Sequence, residues 1–176
     1  MKKVVLIFGS IAGAIVVGLM YVWMAFSRGT SDFEGGELVG YLGMIIALST
    51  IFFGIKSYRD TSLGGVITFG KALLLGVLIT LVASAIYVIN WEIYFSVNGA
   101  DFADEYFESS IEKVKASGVP EPELKDKIQE MEDMKNLYTN NTLFRVVMTF
   151  IEIFPVGLAI SLISAGILRR KEILPA

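Results

Sequence analysis

Four stretches of this chain are long enough and apolar enough to cross a lipid bilayer, and no other feature narrows the fold so far. A spanning helix needs about 20 mostly apolar residues, roughly 17–25. Val4–Phe26 carries no charge, nor does the shorter Leu38–Ile55. Ala72–Trp91 is uncharged and stays apolar through Glu92 to Phe95, and Val146–Leu168 carries one charge, Glu152. In lipid every backbone N–H and C=O must find its partner inside the segment, so an open-ended spanning element is a helix. The alternation of a barrel strand, about ten residues per pass, is absent. The expected fold class is all-α: a membrane four-helix bundle, one integral membrane domain over residues 1–176 with spans at about 4–26, 38–55, 72–95 and 146–168.

The first run begins with Lys2-Lys3, as a signal peptide does. A signal h-region is shorter, about 7–15 residues, and ends at small residues. This run ends in Tyr21-Val22-Trp23-Met24-Ala25-Phe26, so it reads as an uncleaved span.

Charge sets the expected topology, because Lys and Arg concentrate in cytoplasmic loops. The N-terminus, the connection between spans two and three, and the C-terminus together hold eight basic residues (Lys2, Lys3, Lys56, Arg59, Lys71, Arg169, Arg170, Lys171) against Asp60 and Glu172. The opposite side holds seven basic residues against fourteen acidic ones. Both termini are therefore expected in the cytoplasm, and an even number of spans agrees. Tyr21, Trp23, Tyr87, Trp91 and Tyr94 fall at the expected outer ends of spans one and three, where aromatic belts form.

The segment 98–141 is the sizeable water-exposed insert. Phe107, Ile111 and Val114 lie at helical spacing, Ser117-Gly118 reads as a helix stop, and Pro120 opens the next helix. Glu121 and Glu123 suit that helix's first turn, and Leu124, Ile128, Met131 and Leu137-Tyr138 continue an apolar stripe. The expectation is an extracytoplasmic helical hairpin, packed on itself or on the bundle rim, with a docking surface for a partner as the alternative. Its eleven acidic residues show no calcium-loop spacing.

Lipid offers no hydrophobic drive for helix association, so small residues that allow close approach matter. Span one has Ser10, Ala14 and Gly18, with Gly9 and Gly13 beside them. Span two has Gly36, Gly40, Gly43 and Ala47; span three has Ala72, Gly76, Thr80 and Ser84; span four has Gly157, Ser161 and Ala165. These stripes suit an intramolecular bundle and also suit a homodimer.

A carboxylate at bilayer depth costs about 2.5–3.5 kcal/mol on insertion scales, and such residues invite a functional hypothesis. Glu152 lies two helical turns beyond Arg145, three residues before Pro155, which frees a carbonyl around Ile151. Glu92 lies near the outer end of span three beside Asn90. Arg145 has two candidate partners, Glu92 and Glu152, and a protonated Glu152 bonded to backbone or to Asn90 is a further arrangement. Glu92, Arg145, Glu152 and Asn90 thus form the candidate intramembrane polar cluster. Lys71, Arg169, Arg170 and Lys171 are the expected interfacial anchors. Gly64-Gly65 lacks the pattern of a phosphate loop and reads as a tight turn.

The chain has no Cys and no His. That removes disulfides, thiolate chemistry, His-based triads and ordinary zinc sites, so neither a metal nor a cofactor is expected. A formal net charge of -3 argues against nucleic acid as a partner. The expected partners are the lipid bilayer and either a protein partner or a second copy. With a carboxylate as the sole credible acid–base group at depth, an enzyme is not expected. The leading reading is a non-enzymatic scaffold or accessory interaction protein. The alternative is a small oligomeric transporter or channel component with a proton or cation path through Glu152 and Glu92.

The run Tyr58-Arg59-Asp60, Gly65 and Phe69-Gly70-Lys71-Ala72 resembles an inner-loop motif of the bacterial membrane family DUF4199. So do Lys115-Ala116-Ser117-Gly118, Phe144-Arg145, Met148-Thr149-Phe150 and Glu152-Ile153-Phe154-Pro155-Val156-Gly157. The resemblance covers nearly the whole chain. It implies four spans and a bacterial inner-membrane setting, in a family found mainly in Bacteroidetes, and it implies no activity.

Overall fold

A computed structural model describes residues 1–26 and 33–170. Arg28 and Asp32 of the first connection, and Lys171 of the expected anchors, lie outside the described residues. The described chain is helical, in the order α1 (Lys2–Phe26), α2 (Phe33–Leu48), α3 (Thr50–Ser62), α4 (Phe69–Ala116), α5 (Glu121–Asn140) and α6 (Thr142–Leu168). Four segments are long and apolar enough to cross a membrane: Lys2–Ala25, Leu38–Ser62, Phe69–Gly99 and Thr142–Leu168. Their outward surface agrees, since Leu6, Ile46, Phe53, Ile89, Ile163 and Ile167 are all exposed. Exposed apolar residues on four such helices suit a lipid environment.

The second span extends past Ile55 to Ser62 and is divided at Ser49 into α2 and α3. Two side-chain bonds mark the break. Ser49 Oγ donates to the Ile46 carbonyl at 2.6 Å, and Thr50 Oγ1 to the Ala47 carbonyl at 2.7 Å. Such back-bonding hydroxyls compete with the backbone ladder and bend helices.

The third span is longer than its apolar run. α4 continues for 48 residues, through Asn98 and Gly99, as far as Ala116. Asn98 is therefore a position within a helix, and the polar segment from 98 onward begins without a break in α4. The polar residues from Asn98 onward mark the end of the apolar run, and helix propensity carries the backbone on. Gly118, at φ 72, makes the turn that an L side chain rarely adopts. Pro120 is the N-cap of α5, so the helix begins one residue later than expected.

Contacts between named residues fix the directions. Gly9 faces Val82 and Gly13 faces Ile86, so α1 and α4 run parallel. Gly76 faces Ser161 and Gly157 faces Thr80, so α4 and α6 run antiparallel. Gly43 of α2 meets Leu19 of α1 and Gly54 of α3 meets Phe8, so the second span runs antiparallel to α1. The starts of α1 and α4 thus share one end with the ends of α3 and α6. That end carries Lys2, Lys3, Arg59, Lys71, Arg169 and Arg170. It is closed by a two-residue bridge, in which Ile67 and Arg170 exchange N–H···O bonds of 3.2 and 3.0 Å.

The core lies along α4. Leu48, Ile51, Ile55, Leu75, Ile79 and Ile153 are fully buried. The closest approach is between α4 and α6. A Cβ on Gly157 would collide with Thr80, and one on Gly76 would lie 2.7 Å from Ser161 Oγ. Each hydroxyl donates to the carbonyl four residues back, Thr80 to Gly76 at 3.0 Å and Ser161 to Gly157 at 2.7 Å. The two hydroxyls are 3.3 Å apart. Small residues let two backbones meet, and their hydroxyls fill the seam.

Of the two stripes in span one, the buried face is that of Gly9, Ala12, Gly13 and Val16, while Ser10, Ala14 and Gly18 are exposed. Both stripes have the spacing of four, and spacing alone does not choose between them.

Candidate functional site

Arg145 is 6% exposed at the start of α6, and every one of its N–H groups is used. Nε donates to Glu92 Oε1 at 2.8 Å and Nη2 to Glu92 Oε2 at 2.6 Å, a bidentate pair. Nη1 donates to the carbonyls of Tyr138 and Thr139 at 2.9 and 3.2 Å, and Nη2 also reaches Thr142 Oγ1 at 3.4 Å. A guanidinium has five donors in a fixed fork, and these partners account for all of them. Its carbon also lies 3.9 Å from the centre of the Phe95 ring, within cation–π range.

Three helices meet at this one side chain. Glu92 comes from α4, the carbonyls come from the last turn of α5, and Arg145 belongs to α6. The last carbonyls of a helix lack internal partners and carry the negative end of its dipole, so a cation suits them. The choice left open by the sequence is resolved in favour of Glu92. The role of Arg145 as a cap for α5 has no signature in spacing, because the turn at Asn141 brings the chain back on itself. Asn141 Oδ1 caps α6 by accepting from Phe144 N at 3.0 Å.

The junction is continued by aromatic rings. Trp91 Nε1 donates to Tyr138 Oη at 2.8 Å. Tyr138 packs edge-on against Phe95 at 5.7 Å, and Phe95, Ala103 and Phe107 form a second small core between α4 and α5. Burial pushes the Tyr138 phenol up to about 12, which keeps it neutral well above physiological pH. Farther out, Lys135 Nζ pairs with Asp104 Oδ1 at 2.6 Å. Tyr87 and Trp91 are 6% and 8% exposed, so they face the protein interior and are not belt residues.

Glu152 sits elsewhere. It is exposed on the α6 face that lines a groove of about 2390 Å³. Tyr87 Oη lies 3.5 Å from Glu152 Oε2, at the outer edge of hydrogen-bond distance. The groove runs between α1 and α2 on one side and α4 and α6 on the other, and continues along the distal part of α4 and α5. Val16, Met44, Tyr87, Thr149 and Glu152 are among the residues that line it. Asn90 joins neither acid through its amide nitrogen, since Nδ2 is buried with no hydrogen-bond partner among the described residues. The four cluster candidates therefore divide: Glu92 and Arg145 close a junction, Glu152 lies on a groove, and Asn90 belongs to neither through its amide nitrogen.

The expected anchors gather at the basic end. Lys71 is exposed with Nζ 6.0 Å from the Tyr58 ring centre. Arg169 caps α6 through its backbone N–H to Ala165, and Arg170 forms the bridge to Ile67. Sequence reasoning missed Arg59, which reaches the Leu168 carbonyl at 3.4 Å while pairing with Asp60 at 2.7 Å. It is one more cation at a helix C-terminus. No group of three or more acidic side chains placed to hold a metal ion occurs among the described residues.

Neither a curated protein nor a solved structure matches the chain. The model of one family, described as a protein of unknown function, DUF4199, matches residues 7–170. That match takes in most of the first apolar helix, the other three, the Arg145 junction and Glu152, and the chain belongs to the DUF4199 family.

Proposed function

We propose that this protein is a non-enzymatic accessory protein of a bacterial inner membrane, which presents the paired distal helices of α4 and α5 as an interaction arm. The observation that carries this reading is the continuity of α4. The helix leaves the apolar region at about Gly99 and extends roughly 25 Å further to Ala116, at 1.5 Å per residue. α5 returns along it, and Arg145 ties that return to Glu92 and α6. A stiff arm rooted in the bundle is suited to holding a partner at a set height above the membrane. The acidic residues of the arm and the basic residues of the other end support an extracytoplasmic arm with both termini in the cytoplasm. Helical spans suit an inner membrane, since outer-membrane spans are closed barrels.

Photo-crosslinking in native membranes tests this. A photoreactive residue at Leu137, 42% exposed on α5, is expected to give a discrete crosslinked product. The same group at Leu6, exposed on the apolar face of α1, is expected to label lipid alone. Equal labelling from both positions would remove the arm reading.

A conducting path through both Glu152 and Glu92 has less support. Glu92 is held by two charge-assisted hydrogen bonds to Arg145. A proteoliposome flux that is abolished by Glu152→Gln would favour that second reading over the accessory role.

A further inference from the structure

The basic end of the bundle has an arrangement of its own, independent of the arm. Lys56 and Arg59 belong to the second span and Arg170 follows the fourth, and the fold brings them to one corner. Arg59 Nη1 donates to the Leu168 carbonyl at 3.4 Å, and the bridge to Ile67 holds the Arg170 backbone beside it. Arg59 also grips both oxygens of Asp60, at 2.7 and 3.2 Å. The charges of Lys56 and Arg170 act on that same carboxylate, so cations from α3 and from the end of α6 converge there. Lys56 and Arg170 are exposed. Apolar side chains are exposed just inward of them. α3 and α6 run in the same direction, and Phe53 precedes Lys56 by three residues as Ile167 precedes Arg170. Phe53, Ile163 and Ile167 are all exposed on those turns.

We propose that this corner of α3 and α6 holds the phosphate of an anionic phospholipid, with Lys56, Arg59 and Arg170 about the headgroup and the acyl chains along Phe53, Ile163 and Ile167. Position carries the choice of occupant. The cations lie where two spans end, and basic corners between spanning helices suit anionic headgroups. Lys56 lies within the apolar segment Leu38–Ser62. A lysine there runs its stem along the helix and sends its ammonium to the headgroup level, where a lipid phosphate meets it. A soluble anion would engage the cations alone, whereas a phospholipid engages the cations and the apolar turns beneath them together. Asp60 and the Leu168 carbonyl already hold the Arg59 guanidinium in place, so little side-chain freedom is lost when the headgroup binds.

The test uses the full chain in phosphatidylcholine bilayers that carry a trace of spin-labelled lipid. The probes are spin-labelled phosphatidylglycerol and, as the zwitterionic reference, spin-labelled phosphatidylcholine. The reading is the motionally restricted fraction of each. The wild type is expected to restrict phosphatidylglycerol in preference to phosphatidylcholine, and raised salt is expected to weaken that preference. Lys56→Gln and Arg170→Gln are each expected to reduce it about fivefold. Both are exposed, and Arg170 makes its bridge through backbone groups, so neither change disturbs the fold. Lys56→Arg keeps the charge and is expected to keep the preference. Lys135→Gln, which removes a cation from the arm at the other end, is expected to leave it unchanged. Glycerol phosphate, the soluble headgroup, is expected not to displace the labelled lipid. Equal restriction of the two lipids by the wild type overturns the proposal. So does an unaltered preference in both Lys56→Gln and Arg170→Gln, an equal loss in Lys135→Gln, or displacement by glycerol phosphate.

Discussion

The bundle is packed in two different ways along its length. Toward the basic end and the middle, Gly9, Gly13, Gly76 and Gly157 let α1 and α6 touch α4 directly. Farther along, the same helices carry Tyr87, Trp91 and Tyr94, and a groove separates them. Small residues occur in both regions, yet Gly18 and Gly40 meet nothing within 4 Å. The difference teaches that a small residue permits close approach and does not cause it. Approach follows where the facing helix presents a side chain that fits the gap, Val82 and Ile86 over Gly9 and Gly13, and Ser161 and Thr80 over Gly76 and Gly157. Polar groups divide in the same way. Arg145 and Glu92 are fully paired within a closed junction, whereas Glu152 faces open volume ten residues into the same helix.

Substitutions sharpen this contrast, and the largest effect is expected at the junction. Arg145→Met leaves Glu92 partly buried beside α5 carbonyls that have lost their donor. Breaking a buried pair costs about 3–5 kcal/mol, read as reversible unfolding in detergent. Adding Glu92→Gln to that variant is expected to recover part of the loss, and no recovery would deny the coupling. Next comes Gly157→Val, whose side chain meets Thr80. Overpacking costs about 1–3 kcal/mol, while Gly40→Leu in the groove is expected to stay within about 0.5 kcal/mol of wild type. Equal losses at both glycines would erase the distinction between the two regions. A smaller effect is expected for Ser161→Ala, because interhelical hydroxyl bonds average about 0.6 kcal/mol and reach about 1.7. The smallest is expected for Lys135→Met, since an exposed pair contributes about 0.2–1 kcal/mol, and raised salt should remove it.

The sequence makes some of this legible and hides the rest for physical reasons. Four long apolar runs with almost no charge reveal the spans, because lipid disfavours charge in each of them. The limits of those runs are not the limits of helices. Asn98 ends the apolar pattern while α4 passes through it, and Ser49 divides span two into α2 and α3 without any polar run to announce it. Arg145 and Glu92 were readable as candidates because buried charges need partners. Spacing along α6 put Glu152 on the same face as Arg145 and could not see that α4 would present Glu92 instead. The cap that Arg145 places on α5 was hidden for the same reason, since it depends on how the chain turns at Asn141. Tyr87 and Trp91 share a level with belt residues, but their helix faces inward there.

The chain has no cysteine, so single-cysteine labelling addresses the central contrast against a clean background. Glu152→Cys and Ile153→Cys place thiols on adjacent residues of α6, one on the groove and one fully buried. With a small water-soluble thiol reagent applied to native membranes, position 152 is expected to be modified quickly and position 153 to remain inert. Equal protection of both positions would mean that no open groove reaches Glu152, and would contradict the account.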